Sequence, residues 1–261
     1  MEEPSPVTVS EPTASKPPAT SLGARLLNVF AVPADVFDEV KASPGVTANW
    51  LVPVLLLALV GVISAVIIAS QPAIQQQVRE EQAKMLDKQV QAGKMTREQV
   101  DKILVVAEKF TGPAMLKILG SISAVFVSFV RVFWWGFILW LLGRSLLKTP
   151  VVYLKTLEVA GLALMISVLG TVVTLLLTVN FGRMFATPSM ALAVGDFDAT
   201  RKSPLMLGTV NVFSFWLVGV MSVGLARLSG APFMRAAFLV LAFWVLEQSF
   251  FILVGLGQFA Q

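Results

Sequence analysis

Two ionisable side chains stand inside runs otherwise composed for hydrocarbon: Arg131 in "SFVRVFWW" and Glu247 in "WVLEQSFF". An isolated charge at such depth costs from about a few kcal/mol upward, so the simplest expectation is that the two neutralise each other, with Gln248 and Asn211 nearby. Arg131 stands thirteen positions before Arg144, and Glu247 twelve after Arg235. At about 1.5 Å per residue those offsets bring both close to the membrane midplane if their helices run in opposite directions. Two readings stay open: the pair lines a polar or proton-coupled pathway, or it clamps the register of two helices. Glu158 has less claim, because it falls at the end of an apolar run where it can reach water or Lys155.

Other acidic residues invite other chemistry. Asp35, Asp38 and Glu39 make one face of a short segment acidic, the opposite of a lipid-binding basic face, so they are expected to dock on loops of a bundle near Arg144 or Lys148. Structural bracing and a partner-binding surface are the two roles open to them. "GDFDAT", residues 195–200, has the Asp-x-Asp-x-Thr spacing of a phosphoryl-transfer nucleophile. That chemistry needs the motif at a strand end in a large doubly wound domain, and here apolar runs bound it. Asp196 and Asp198 also lack the third oxygen ligand and the glycine of a calcium loop, so a polar turn is the better reading. Cysteine and histidine are both absent, which removes disulfides, thiolate nucleophiles and imidazole acid-base chemistry. No catalytic residue, metal site or cofactor is expected, and the chain reads as a protein that is not an enzyme.

The elements that must hold these residues are written in the composition. Hydrophobic residues make up 56% and charged residues 14% of the 261, with a mean hydropathy of +0.78, which is membrane-protein composition. A net charge of +4 accompanies no basic tract, so nucleic acid is not an expected partner. A bilayer core of about 30 Å needs about 20 apolar residues in a helix. Five stretches meet that length, at 49–70, 114–143, 157–180, 205–228 and 233–257, and they predict an all-α, polytopic bundle of five transmembrane helices. Residues 1–20, rich in Pro, Ser and Thr and with Glu2 and Glu3 where an export signal would be basic, read as a disordered tail. Residues 21–48 read as amphipathic helices at the membrane boundary, with Leu22, Leu26, Val29 and Phe30 on one apolar face and Val36, Phe37 and Val40 on the next.

Between the first two spans, residues 71–113 read as an extramembrane helical hairpin. Pro72 suits a helix start, Gly93 a stop, and Thr96 with Gln99 a capping box before the second helix. Small residues repeat every fourth position in two spans: Gly61, Ala65 and Ala69, then Gly120, Ala124 and Ser128. Such stripes allow close helix approach, within one chain or in a dimer. Trp50 suits an interface belt, whereas Trp134 and Trp135 are deep enough to pack between helices. Lys and Arg counts do not settle orientation, because the hairpin's basic residues reverse the bias of the other loops.

"LLNVFAVPADVFDEV", "LLGRSLLKTPVVYLKTLEVAG" and "NVFSFWLVGVMSVGLARLSG" followed by "APFMRAAF" together resemble the Yip-domain family of Ypt/Rab-GTPase-interacting membrane proteins. The similarity covers about residues 22–261, and the hairpin insertion is similar to the bacterial branch. The resemblance implies five spans, an amino terminus in the cytoplasm, a carboxyl terminus outside it, and residence in a bacterial inner membrane. It implies no catalytic residues. The expected function is a non-enzymatic scaffold or adaptor in membrane organisation or trafficking-like processes; the alternative is a small-solute or ion transporter or channel using Arg131 and Glu247. The lipid bilayer is the expected surroundings, with membrane-protein partners or a second copy of the chain beside it.

Overall fold

The computed structural model describes residues 20–184, 186–193 and 202–254. The expected tail before Thr20, the 195–200 motif and the last residues of the fifth span, 255–257, lie outside the described residues. Among those described there are helices and no strand beyond one isolated bridge, Ser189 to Asn211. Five helical stretches are long and apolar enough to cross a membrane: Ala48–Ala69, Pro113–Leu146, Tyr153–Phe181, Val212–Ser229 and Phe233–Val254. The fold is therefore an all-α bundle.

Two short helices precede it. α1 (Leu22–Ala31) opens with Ser21 accepting from the Ala24 amide, and α2 (Pro33–Ala42) starts on Pro33, whose missing N–H costs nothing in a first turn. They form a cap folded onto one end of the bundle. The apolar face of α2, Val36, Phe37 and Val40, is fully enclosed against the spanning helices. This end is called the cap end, and the opposite one the hairpin end.

The first span, α3 (Ala48–Ala69), runs from the cap end to the hairpin end. There α4 (Pro72–Gln91) and α5 (Arg97–Thr111) form the hairpin, turned by Gly93 at φ +68° and restarted by the full Thr96–Gln99 capping box. Gln77 ties the hairpin to the bundle: its amide donates to Gly182 O at 2.7 Å and accepts from Met184 N at 2.9 Å. The return span, α6 (Pro113–Leu141), closes in a π-turn at Leu142–Leu146, with Thr149 capping Gly143 O at 3.1 Å.

The third span comes in two pieces, α7 (Tyr153–Ala163) and α8 (Met165–Phe181), joined by a tightened turn at Leu164. The fourth differs from expectation. A short helix, α9 (Lys202–Thr209), precedes the span proper, α10 (Val212–Ser229), so the apolar run from 205 does not form one rod. Asn211 is the reason: in extended conformation it pairs with Ser189, and its side chain caps the new helix through Phe213 N at 2.9 Å. The last span, α11 (Phe233–Val254), leans on α10 at the edge of the bundle and leaves Phe238, Leu246 and Leu253 exposed, as a lipid-facing helix must.

Helices in lipid gain little from apolar burial and are held by close packing. The two small-residue stripes face each other within the chain: a Cβ on Gly61 would come 2.9 Å from Ala124 Cβ, and one on Gly120 would come 3.0 Å from Ala65 Cβ. At Gly161 the approach is tighter still, 2.2 Å from Trp50 Cα. Gly219, in contrast, has open space where a methyl would go. Gly161→Ala is thus expected to destabilise the bundle by about 1–3 kcal/mol or more, while Gly219→Ala is neutral or stabilising by up to about 1 kcal/mol. Thermal unfolding of the two variants in detergent checks this, and equal melting temperatures would contradict the packing.

Candidate functional site

Charged and polar side chains gather at two places. The first joins the cap to the bundle. Asn49, at the start of α3, is fully enclosed and donates from Nδ2 to Glu158 Oε2 on α7 at 2.6 Å. The other Glu158 oxygen lies 2.9 Å from Lys155 Nζ, which also donates to Pro44 O at 3.1 Å. Arg25 on α1 reaches Asn49 Oδ1 at 3.5 Å and pairs with Glu39 on α2 at 3.3 Å. Thr20 donates its hydroxyl to the same Glu39 carboxylate. One chain of polar contacts therefore links α1, α2, α3 and α7. Glu158 Oε2 accepts a hydrogen bond, and Oε1 has the Lys155 ammonium as its ion-pair partner but no hydrogen bond, so the group ties α3 and α7 together.

This corrects one expectation and adds a residue that sequence reasoning missed. Glu158 does meet Lys155, but it has no exposure to water. Its partner Asn49, on the first span, is 109 positions away in sequence, and no local pattern shows the contact. Arg25 falls on the same face of α1 as Leu22 and Val29, three and four positions away, and that face turns inward.

The acidic trio separates. Glu39 is held inside the cap by Arg25, and Asp38 pairs with Arg227 at the end of α10, at 3.2 Å with both side chains about half exposed. Lys41 donates to Arg227 O at 2.7 Å. Asp35 is exposed and has no ion pair among the described residues. The docking partner is thus Arg227 and not Arg144 or Lys148. The reason is steric: Phe37 seats its ring over Gly224, where a Cβ would lie 3.3 Å away, and this draws α2 across the end of α10. Between them opens a groove of about 650 Å³ lined by Asp38, Lys41, Arg227, Gly230 and Phe233.

The second place is inside the bundle toward the hairpin end. Arg131 on α6 and Glu247 on α11 line one cavity of about 350 Å³, with Trp134, Trp244, Gln248 and Phe251 around them. No ion pair within 4 Å joins the two charges. Glu247 Oε1 instead accepts from Trp134 Nε1 at 2.5 Å, so Trp134 lies at the lipid-facing surface with 44% exposure, while Trp135 packs inward against Phe243. Arg131 also lines a second cavity of about 230 Å³ whose other walls include the polar Ser167, Thr171, Thr174, Thr187 and Ser214 beside the apolar Phe213 and Leu217. Gln248 stands beside Glu247 as expected, with its Oε1 buried and without a donor, and Asn211 comes near through the second cavity.

The sequence from residue 27 to residue 256 matches the family model described as the Yip1 domain. The chain belongs to the Yip1 domain family. The matched region begins inside α1, so the cap is part of the Yip1 domain, as are the five spans and the hairpin between the first two. A Yip1 domain with five apolar spans is an integral membrane protein, and its surroundings are a lipid bilayer. No curated protein and no solved structure matches the chain. Among the described residues, no group of three or more carboxylates is placed to hold a metal ion.

In this Yip1 domain the cap network and the separate Asp38–Arg227 pair differ in burial, and stability must follow. Glu158→Ala leaves Lys155 and Asn49 enclosed without their partner, an expected loss of about 3–5 kcal/mol. Asp38→Ala opens only the half-exposed pair with Arg227, worth at most about 1 kcal/mol. Denaturant melts in detergent micelles should rank the variants in that order, and a loss at Asp38 equal to that at Glu158 would refute the assignment.

Proposed function

We propose that this Yip1 domain protein is a non-enzymatic adaptor, one that organises other membrane components through its cap end, which faces the cytoplasm. The observation that carries this is the groove at the cap end. Its wall holds charges of both signs, Asp38 beside Lys41 and Arg227, next to an apolar rim of Phe233 and Met234 exposed by 49% and 76%. A surface that mixes paired charges with exposed apolar side chains fits the composition of a protein interface. The cap network keeps that surface rigid, so a partner meets a preformed groove and pays little for ordering it. Acidic residues on α2 fit neither insertion nor adhesion to anionic lipid, which supports a role in protein contacts.

A second reading, passage of a small solute or ion, draws on Arg131, whose side chain forms part of two cavity walls. The groove at the cap end shares no lining residue with either of these cavities. The adaptor reading is therefore placed first.

Photo-crosslinking amino acids placed at Phe233 and, as control, at Met85 on the hairpin test it in intact membranes. The expected result is an adduct of discrete mass from position 233 that is lost with Asp38→Lys and is absent from position 85. No adduct at 233, or one indifferent to Asp38→Lys, would overturn the proposal.

A further inference from the structure

The two cavities around Arg131 share three wall residues, Arg131, Ser214 and Leu217, so they meet at the guanidinium. Their chemistries are opposite. On one side stand hydroxyl groups, from Ser167, Thr171, Thr174, Thr187 and Ser214, with the start of α10 beneath Asn211. On the other stand two acceptors: Glu247, whose Oε2 receives no hydrogen bond from the described residues, and Gln248, whose Oε1 is enclosed without any donor. Arg131 itself has no hydrogen bond and no ion pair within 4 Å among them. Arg131 and Glu247 attract each other across the hollow without closing to a contact, and a half-buried guanidinium without a hydrogen bond beside an enclosed acceptor without a donor is costly unless a third body joins them.

Depth narrows the identity of that body. Arg131 and Glu247 lie about 18–20 Å from the cap-end boundary marked by Arg144 and Arg235, which leaves about 10 Å to the other face of a hydrocarbon core of about 30 Å. The hydroxyl-lined chamber spans that remaining depth, because Thr187 and Asn211 belong to the loops of the hairpin end. The aromatic chamber lies between α6 and α11, where exposed Trp134 marks its lipid side. A ligand can thus keep a polar head near water and leave its apolar part between two helices.

We propose that this pair of chambers binds a zwitterion carrying an oxyanion and a primary ammonium group, in the form of an ethanolamine-type phospholipid of the hairpin-end leaflet. The phosphate meets Arg131 and the hydroxyls, in a charge-assisted contact that suits a guanidinium. The ammonium meets Glu247 and supplies the N–H that Gln248 Oε1 lacks. A choline head offers no N–H, and a glycerol head offers no cation to Glu247, so both bind less well. The acyl chains leave past Trp134 and Phe251 into the bilayer. The inference goes beyond the adaptor reading and does not depend on it: loss of crosslinking at position 233 leaves lipid binding untouched.

The full chain is reconstituted with equal parts of ethanolamine, choline and glycerol phospholipids of the same acyl composition, extracted in mild detergent, and weighed by native mass spectrometry. One ethanolamine lipid should be retained over the glycerol lipid by about tenfold, the equivalent of one charge-assisted hydrogen bond. Arg131→Gln and Glu247→Gln should each lower retention by about tenfold, while Gln76→Ala on the hairpin leaves it unchanged. If Arg131→Gln does not purify folded, Glu247→Gln and Thr174→Val carry the test by the same readout. Thermal stabilisation by free O-phosphoethanolamine, lost with Glu247→Gln, would support the same chemistry with a soluble source. Equal retention of all three lipids, no retention of any together with no stabilisation by the free compound, or retention indifferent to these variants would overturn it.

Discussion

No water is available in hydrocarbon to take up an abandoned polar group, so each one must be answered by the chain itself. The buried Glu158 is where this structure meets that demand with a network that joins several helices. Its carboxylate takes Asn49 from α3 and Lys155 from its own helix, and Asn49 passes the contact to Arg25 and so to Glu39 in the cap. Pairing of this kind adds little net stability, because desolvation offsets most of the attraction. What it supplies is selectivity of arrangement. Any slide of the cap, or of α3 along α7, strands a charge in a medium that cannot solvate it.

Around that network the packing is set by what is missing from side chains. Residues Thr156–Ala163 of α7 are all enclosed, and glycines stand where α7 or its neighbours come closest: Gly161 against Trp50, Gly136 against Leu157, and Gly224 against Val159. A helix enclosed on every side has no polar face to display. The cap depends on the same geometry, since Phe37 can lie over α10 only where Gly224 leaves room. Polar clamp and glycine packing therefore enforce one arrangement by independent means, one through charge and the other through volume.

This explains which parts were legible in the sequence. Spans were readable because length and apolarity are local properties, and the hairpin because proline, glycine and the Thr96–Gln99 box are local signals. The interior of the fourth run was misread because Asn211 breaks it through pairing with Ser189, 22 positions earlier, and hydropathy does not register a partner. Arg25 and Glu158 escaped for a related reason. Glu158 lies near a span end and Arg25 on an amphipathic helix outside the spans, both places where a charge ordinarily faces water, and only the tertiary fold turns them inward. The approach of Arg131 and Glu247 was visible from their offsets to Arg144 and Arg235, but their separation was not, because it depends on Trp134 taking the Glu247 carboxylate.

The two polar clusters are governed by one rule and resolve it differently. At the cap, opposite charges come into contact within the chain, Lys155 with Glu158 and Arg25 with Glu39, and the result is a joint. Around Arg131 they do not: a guanidinium, a half-engaged carboxylate and an orphaned amide oxygen share a hollow that direct contact could have closed. α11 already touches α6 through Phe243 against Trp134 and Trp135, and the Trp134 indole engages one Glu247 oxygen. Arg131 and Glu247 attract each other but make no contact, so each is only partly compensated in a medium of low dielectric, which raises the energy of the empty state. The ligand that enters recovers that energy, and for this reason the unmatched cluster, and not the matched one, is where binding is to be sought.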